Sequence, residues 1–354
     1  TTLKVDNVSV KEVITSNVPR VSYLNNANGS LLLESQRTNL NTYSDPTDAQ
    51  KGSLSYASVT YQDSYSWGLG SVINNAIVFV DNSTTRYAYY NSSVASGTTY
   101  SLSFFIKMDD NSVPVPITDF LIVLAGTSFG AGYNVESYGN NVYRVSVSGA
   151  ASASNTANGV LKVASNSTKG FRMSGFQVEA GSYATSYIPT SGTTVTRLVD
   201  KSGTTGLSDV IGSTEGTIFL EVAALANDLS ERRFSISNGT TGNVVRVGFT
   251  NVSNRILAVL YNGSNQCVLT YNGADITSKN KIAFSYNTND FTLFVNGQER
   301  ATDASGSTFS ANTLTDVHFN EGDGNGNESF GKFHQVQLYK TRLTNAELAT
   351  LTTI

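Results

Sequence analysis

The stretch FQVEAGSYATSYIPTSGTTVTR, Phe176–Arg197, decides how the rest of the chain is read. It begins as an alternating strand, turns at Gly181, and runs into a Pro-Thr-Ser-Gly segment that continues neither strand nor helix. A run rich in Ser, Thr and Gly follows as far as Gly216. The residues on each side of this break read as two separate β-rich bodies, each of ordinary domain size.

Composition supports that class and excludes others. Charged residues make up 14% of the chain and hydrophobic residues 39%, so the polar surface is drawn from Ser, Thr, Asn and Gly. Eighteen Tyr and seventeen Phe against two Met favour pleated strands over helices. A single cysteine, Cys267, allows no intrachain disulfide and no cysteine-based metal site. A net charge of −4 without a basic run argues against nucleic acid as a partner. The longest wholly apolar run, Phe120 to Ala125, is too short to span a bilayer, so no membrane insertion is expected. No leader of the signal-peptide type opens at Thr1.

Residues 1–39 read as an extended leading segment. Val8 to Val13 alternates weakly, Pro19-Arg20 interrupts, and Leu31–Leu33 runs into a strip carrying both signs of charge, Glu34 to Leu40. The forked guanidinium of Arg37 suits fastening backbone or a carboxylate such as Glu34 or Glu179.

GSLLLESQRTNLNTYS (Gly29–Ser44), taken with Phe176–Arg197, resembles a module of bacteriophage tail-fibre and tailspike proteins. Glu34, Gln36, Arg37, Thr38 and Asn39 carry the first motif, and Glu179, Ala180, Gly181, Thr185, Ser186, Tyr187, Ile188 and Pro189 the second. The resemblance implies a jelly roll similar to carbohydrate-binding modules over residues 40–197. It also implies a structural role for Glu34, Arg37, Glu179, Tyr187 and Pro189 in closing the sandwich, and it supplies no catalytic residue.

The residues between the motifs support a sandwich independently. Leu102, Phe104, Ile106 and Met108 share one strand face, and Ser101, Ser103, Phe105 and Lys107 the other. Tyr143, Val145 and Val147 alternate with Arg144 and Ser146. Phe171, Met173, Phe176 and Val178 form an inward set with a bulge expected at Ser174-Gly175. Val113-Pro-Val-Pro116 should be an edge or loop. Trp67, Tyr61, Tyr65, Tyr89 and Tyr90 are the candidates for a flat, solvent-facing sugar platform, against the alternative that a sandwich core consumes them.

After a linker at 198–211, residues 212–354 again read as hairpins. Ile218–Val222, Val245–Phe249, Ile282–Tyr286 and Phe291–Val295 alternate, and Asn296-Gly297 is a two-residue turn leading into the charged strand Gln298–Arg300. Thr344 and Glu347 form a capping box, with Leu343 and Leu348 as staple, ahead of a turn or two of helix. The segments Lys281–Tyr286, Phe291–Gln298 and Gly331–Leu348 resemble concanavalin-A-like or laminin-G-like domains. The fold class expected is therefore all-β: two antiparallel β-sandwiches, jelly-roll and lectin-like, in series, with a short C-terminal helical turn.

Chemistry-bearing clusters are few. Glu321, Asp323, Asn325, Asn327 and Glu328 gather oxygen ligands in one loop, leaving three readings: a Ca2+ site, a solvated turn, or direct ligand contact. No other cofactor is implied. His318 and His334 lie in alternating segments and read as structural. A glycan-degrading hydrolase or lyase is a further alternative, for which Glu221 with Asp290 or Glu299 can be assembled on paper as paired carboxylates, and none of the three has a distinctive context. The expected function is a non-enzymatic segment of a phage surface fibre, located on the virion and working as a homotrimer. Its expected partner is a host-surface polysaccharide or other glycan, or other virion proteins if it is a spacer or decoration protein.

Overall fold

The computed structural model describes residues 19–24, 28–57, 59–70, 72–81, 85–162 and 169–354. The Val8–Val13 alternation lies outside the described residues. Among the described residues the regular structure is almost entirely antiparallel strand, arranged as two sandwiches, with a capped helix at Asn345–Thr352.

In the first sandwich, one sheet runs in the order Thr127–Ser128, Leu121–Leu124, Asn155–Lys162, Arg86–Val94, Leu54–Ala57. The other runs Asn134–Ser137, Tyr143–Ala150, Thr99–Met108, Phe171–Ala180, Ala76–Phe79, Thr60–Gln62. Leu102, Phe104, Ile106, Met108, Val145, Phe171, Met173, Phe176 and Val178 all face the core between the sheets, as their period-two spacing requires. The register between Thr99–Met108 and Phe171–Ala180 slips between Ser174 and Gln177, where Gly175 takes a left-handed φ of 63°: the bulge expected from the sequence. The opposite face of Thr99–Met108 is buried too, because Phe105 packs into a satellite cluster with Trp67, Ile73 and Val142, and Ser101 lies beneath the second motif.

The second sandwich corrects the expected boundaries. Its larger sheet runs Arg20–Ser22, Ser30–Leu33, Gly331–Tyr339, Glu215–Ala224, Asn280–Asn287, Asp290–Val295, Gln298–Asp303. Leu31 pairs with Phe333 and Leu33 with Gly331, so the leading segment is not separate: two of its strands extend the sheet of the C-terminal body. Nor is 198–211 a free linker. Gly203–Thr204 pairs with Asp316–His318 at the edge of the facing sheet, and Ile211 is buried in the second core. The physical reason is apolar: Leu33, Phe333 and Ile211 share one cluster with Ile218, Phe284 and Phe234. The first sandwich is thus an insertion in the second. The chain enters it through Arg37–Asn39 and leaves through Val195–Arg197, and these two strands pair with each other.

The local turn chemistry holds as read. Asn296 and Gly297 take φ of 52° and 79°, the two left-handed residues a tight hairpin needs. Thr344 caps the helix and Glu347 returns the bond, while Leu343 packs against the cluster that buries Leu348. Residues Val113–Pro116 form a loop ending in an isolated bridge, with Val113 and Val115 exposed and Pro114 buried.

Candidate functional site

The two sequence motifs meet. Asn39 is fully buried; its amide donates to the Ile188 carbonyl at 2.9 Å, and its side-chain oxygen accepts from the backbone N–H of Asn41 and Val178. Gln177 accepts from the Ile188 N–H at 2.6 Å. Glu179, also buried, accepts from the Thr185 N–H at 3.0 Å and from the Thr185 hydroxyl; burial pushes its pKa up. Tyr187 shares a hydrogen bond with Ser44 at 2.6 Å and its phenol is raised by burial, while Pro189 is exposed. Arg37 takes the backbone alternative: it donates to the Gln36 carbonyl at 3.1 Å, reaches neither Glu34 nor Glu179, and lies 4.9 Å over the Tyr183 ring, where a Cβ at Gly181 would fall 2.4 Å from its guanidinium.

Glu34 is held by other cations. One carboxylate oxygen takes Arg20 and Arg197, the latter at 3.0 Å, and the other accepts from the Ser186 N–H at 2.8 Å. Asp200, buried beside it and raised in pKa by that burial, accepts from the Glu34 N–H at 2.8 Å. These bonds tie the leading strands to the second motif.

That junction forms one wall of a cleft of about 770 Å³ between the sandwiches, within the range of small-ligand sites. Strand pairing builds the opposite wall. Asn134 faces Ser146 and Glu136 faces Arg144 across adjacent strands, so the period of two points Asn134, Glu136, Arg144, Ser146 and Ser148 to one side. The second sandwich contributes Lys332, whose ammonium lies 3.8 Å from Glu136 across the gap. Tyr23 stands at the cleft, 68% exposed, while Tyr138 and Tyr183 are mostly buried with phenols raised by desolvation. Arg144 donates to Ser103 at 2.9 Å and lies 5.7 Å over the Phe105 ring. Nearby, the Ser182 hydroxyl donates to Asp228 at 2.7 Å, a second polar tie between the bodies. Sequence reading placed Arg144 and Ser146 on the outer strand face but missed the cleft, because its residues come from five separated segments.

The expected aromatic platform is corrected. Trp67 is 1% exposed, with its indole N–H donating to the Asn75 carbonyl at 2.9 Å and Tyr65 packed edge-on at 5.1 Å. Tyr90 is fully buried and stacks on Phe176 at 4.3 Å. Tyr61 is half-buried against the first core, and Tyr89 stacks on Tyr87 on another strand face. The five do not form one surface.

The Glu321–Glu328 loop does not fit calcium. Glu321 faces Arg246 at 2.5 Å and accepts from Asn327, with Arg233 at 4.0 Å. Glu328 lies 3.9 Å from Lys201, which also donates to Asn325 at 3.2 Å, and Asp323 caps the Asn325 N–H. Cations already neutralise the oxygens a hard ion would need. Among the described residues, no group of three or more His, Cys, Asp or Glu is placed to hold a metal. The three carboxylates considered for hydrolysis are each engaged apart from one another: Glu221 with Lys279 at 2.7 Å, Asp290 with Arg342 at 2.9 Å, and Glu299 with Asn345 at 2.7 Å.

No curated protein sequence matches the chain. Among solved structures, the CBM40 of the Ruminococcus gnavus IT-sialidase bound to α2,3-sialyllactose is 21% identical, covering 43% of this chain and 92% of that one, at a TM-score of 0.37. The NanB sialidase from Streptococcus pneumoniae is 14% identical, covering 43% of this chain and 26% of that one, at 0.35. The SAP-like pentraxin of Limulus polyphemus is 15% identical, covering 40% and 70%, at 0.33. At these scores the likenesses bear on no ligand or activity of this chain. The second sandwich, with the tail of the motif that leads into it, matches the family described as the concanavalin A-like lectin/glucanases superfamily, over residues 184–349.

Proposed function

We propose that this chain is a non-enzymatic glycan-binding segment of a phage surface fibre, and that the cleft between its sandwiches is where the glycan lies. The observation that carries the reading is the composition of that cleft. An exposed Tyr23 offers an aromatic face at one side, and the facing strands present hydroxyl, amide and charged groups on one surface. Sugars need that combination: an apolar face for their C–H groups and oriented hydrogen bonds for their hydroxyls. The concanavalin A-like match and the resemblance of Gly29–Ser44 and Phe176–Arg197 to tail-fibre modules point the same way. The separation of Glu221, Asp290 and Glu299, each with its own partner, supports binding without hydrolysis. The fibre would be displayed on the virion surface as a homotrimer, where a weak site repeated three times gains avidity.

The test is binding of the purified chain, presented multivalently, to a glycan array and to host cells before and after their surface glycans are stripped. Tyr23→Ala is expected to lose the signal while keeping its melting temperature. Adhesion that survives stripping, or an unchanged Tyr23→Ala, removes the reading. A spacer or decoration role is favoured by one observation, the exposed apolar loop of Val113, Val115 and Ile117. Binding to other particle proteins that Val115→Asp abolishes would establish that role instead.

A further inference from the structure

We propose that the cleft selects glycans bearing an anionic group, a carboxylate or a sulfate or phosphate ester, and that Arg144 and Lys332 receive it from opposite sandwiches. This rests on the glycan-binding reading above and narrows its ligand class. The charges around the cleft are unevenly matched. Glu34 is fully engaged by Arg20, Arg197 and the Ser186 N–H. Glu136 faces Lys332 at 3.8 Å, a loose ion pair between two partly exposed side chains. Arg144 is 7% exposed and, among the described residues, belongs to no ion pair; its guanidinium donates to the Ser103 hydroxyl. Of the charged side chains that line the cleft, Arg144 and Lys332 stand against Glu34 and Glu136, and Glu34 is already taken up by Arg20 and Arg197. A buried guanidinium lacking a carboxylate is costly, and an anionic ligand group supplies the missing partner in the fork geometry that guanidinium favours. Buried Glu179 lies behind Arg144 but is bonded to Thr185 and raised in pKa by its burial, so it compensates Arg144 weakly.

Glu136 then acts as the internal competitor. It sits opposite Arg144 in strand register and beside Lys332, where the ligand's anionic group would otherwise bind. Three substitutions follow with different signs. Lys332→Gln, at a partly exposed position, is expected to weaken binding by roughly tenfold or more. Arg144→Gln should weaken it at least as much, and Glu136→Gln should tighten it. Binding should fall with added salt.

The experiment uses the full chain on an array holding uronate-, sulfate- and phosphate-bearing glycans beside neutral counterparts, including polygalacturonate and its methyl ester. Melting curves of each variant verify folding, and because Arg144 is buried, Lys332→Gln and Glu136→Gln carry the decision. Retention of charged glycans alone, with opposite effects of those two substitutions, is the expected result, and the arm retained identifies the anionic group. Retention of neutral glycans equal to or above charged ones, or the same sign of effect from both substitutions, overturns the anionic assignment while glycan binding stands. Retention of nothing on the array overturns both.

Discussion

Glu34 is 3% exposed, with two guanidinium groups on one carboxylate oxygen and a backbone N–H on the other. Glu34→Ala leaves Arg197 and Arg20 without a shared counterion, and the expected loss is about 3–5 kcal/mol, read as a lower denaturant midpoint at unchanged slope. Gly181 has φ of 147°, and a Cβ there would meet the Arg37 guanidinium, so Gly181→Ala is expected to cost about 1–3 kcal/mol. Asp228 gives a pH test. Burial works to raise its pKa, but the Ser182 hydroxyl, Arg232 and the Ser230 N–H together hold it below the ordinary 3.8. A carboxylate depressed by folding contributes stability above its unfolded pKa and loses it as pH falls through the folded one. Below about pH 4 this tie between the sandwiches should weaken, and Ser182→Ala should flatten that part of the acid-melting curve. Asp200 and Glu179 work the other way, since burial raises both, so their protonation in acid offsets part of the loss.

Elements set by neighbours in sequence were legible, and those set by distant partners were not. The bulge at Ser174-Gly175, the Asn296-Gly297 turn and the Thr344–Glu347 capping box each depend on a few adjacent residues, and each stands in the structure as read. Thr344→Ala, which removes the cap, is expected to cost about 0.5–2 kcal/mol and to fray the terminal helix by circular dichroism. Trp67 misled because Ser66 and Gly68 flank it with polar chemistry, whereas its burial comes largely from Phe105 and Val142, far away in sequence. The acidic loop stayed open between three readings for the same reason. Its carboxylates were visible, but Arg233, Arg246 and Lys201, which neutralise them, lie on other segments. Adding calcium or a chelator is expected to leave the melting temperature unchanged; a rise with calcium would restore the metal reading.

For the whole molecule, the break after the Phe176–Arg197 motif was visible, but the pairing of Ser30–Leu33 with Gly331–Tyr339 was not. Two strands three hundred residues apart in sequence leave no shared period that marks them as partners. The candidate cleft was illegible for the same reason, since Tyr23, Glu136, Arg144 and Lys332 meet only when the first sandwich is inserted into the second. Residues 198–354 expressed alone should therefore expose the Phe333 edge and aggregate or melt early, and fusing residues 19–36 ahead of them should restore an unaggregated species by size-exclusion chromatography. Proteolysis should likewise spare 198–211, because its strand and Ile211 are built into the fold. The paired strands Arg37–Asn39 and Val195–Arg197 also govern how the chain carries tension. A pull between Arg20 and Ile354 crosses from one of these strands to the other, bypassing the first sandwich, which stays slack while that ribbon holds. Stretched singly, the molecule should first release the outer strands of the second sandwich, and the inserted sandwich should extend only after the ribbon parts.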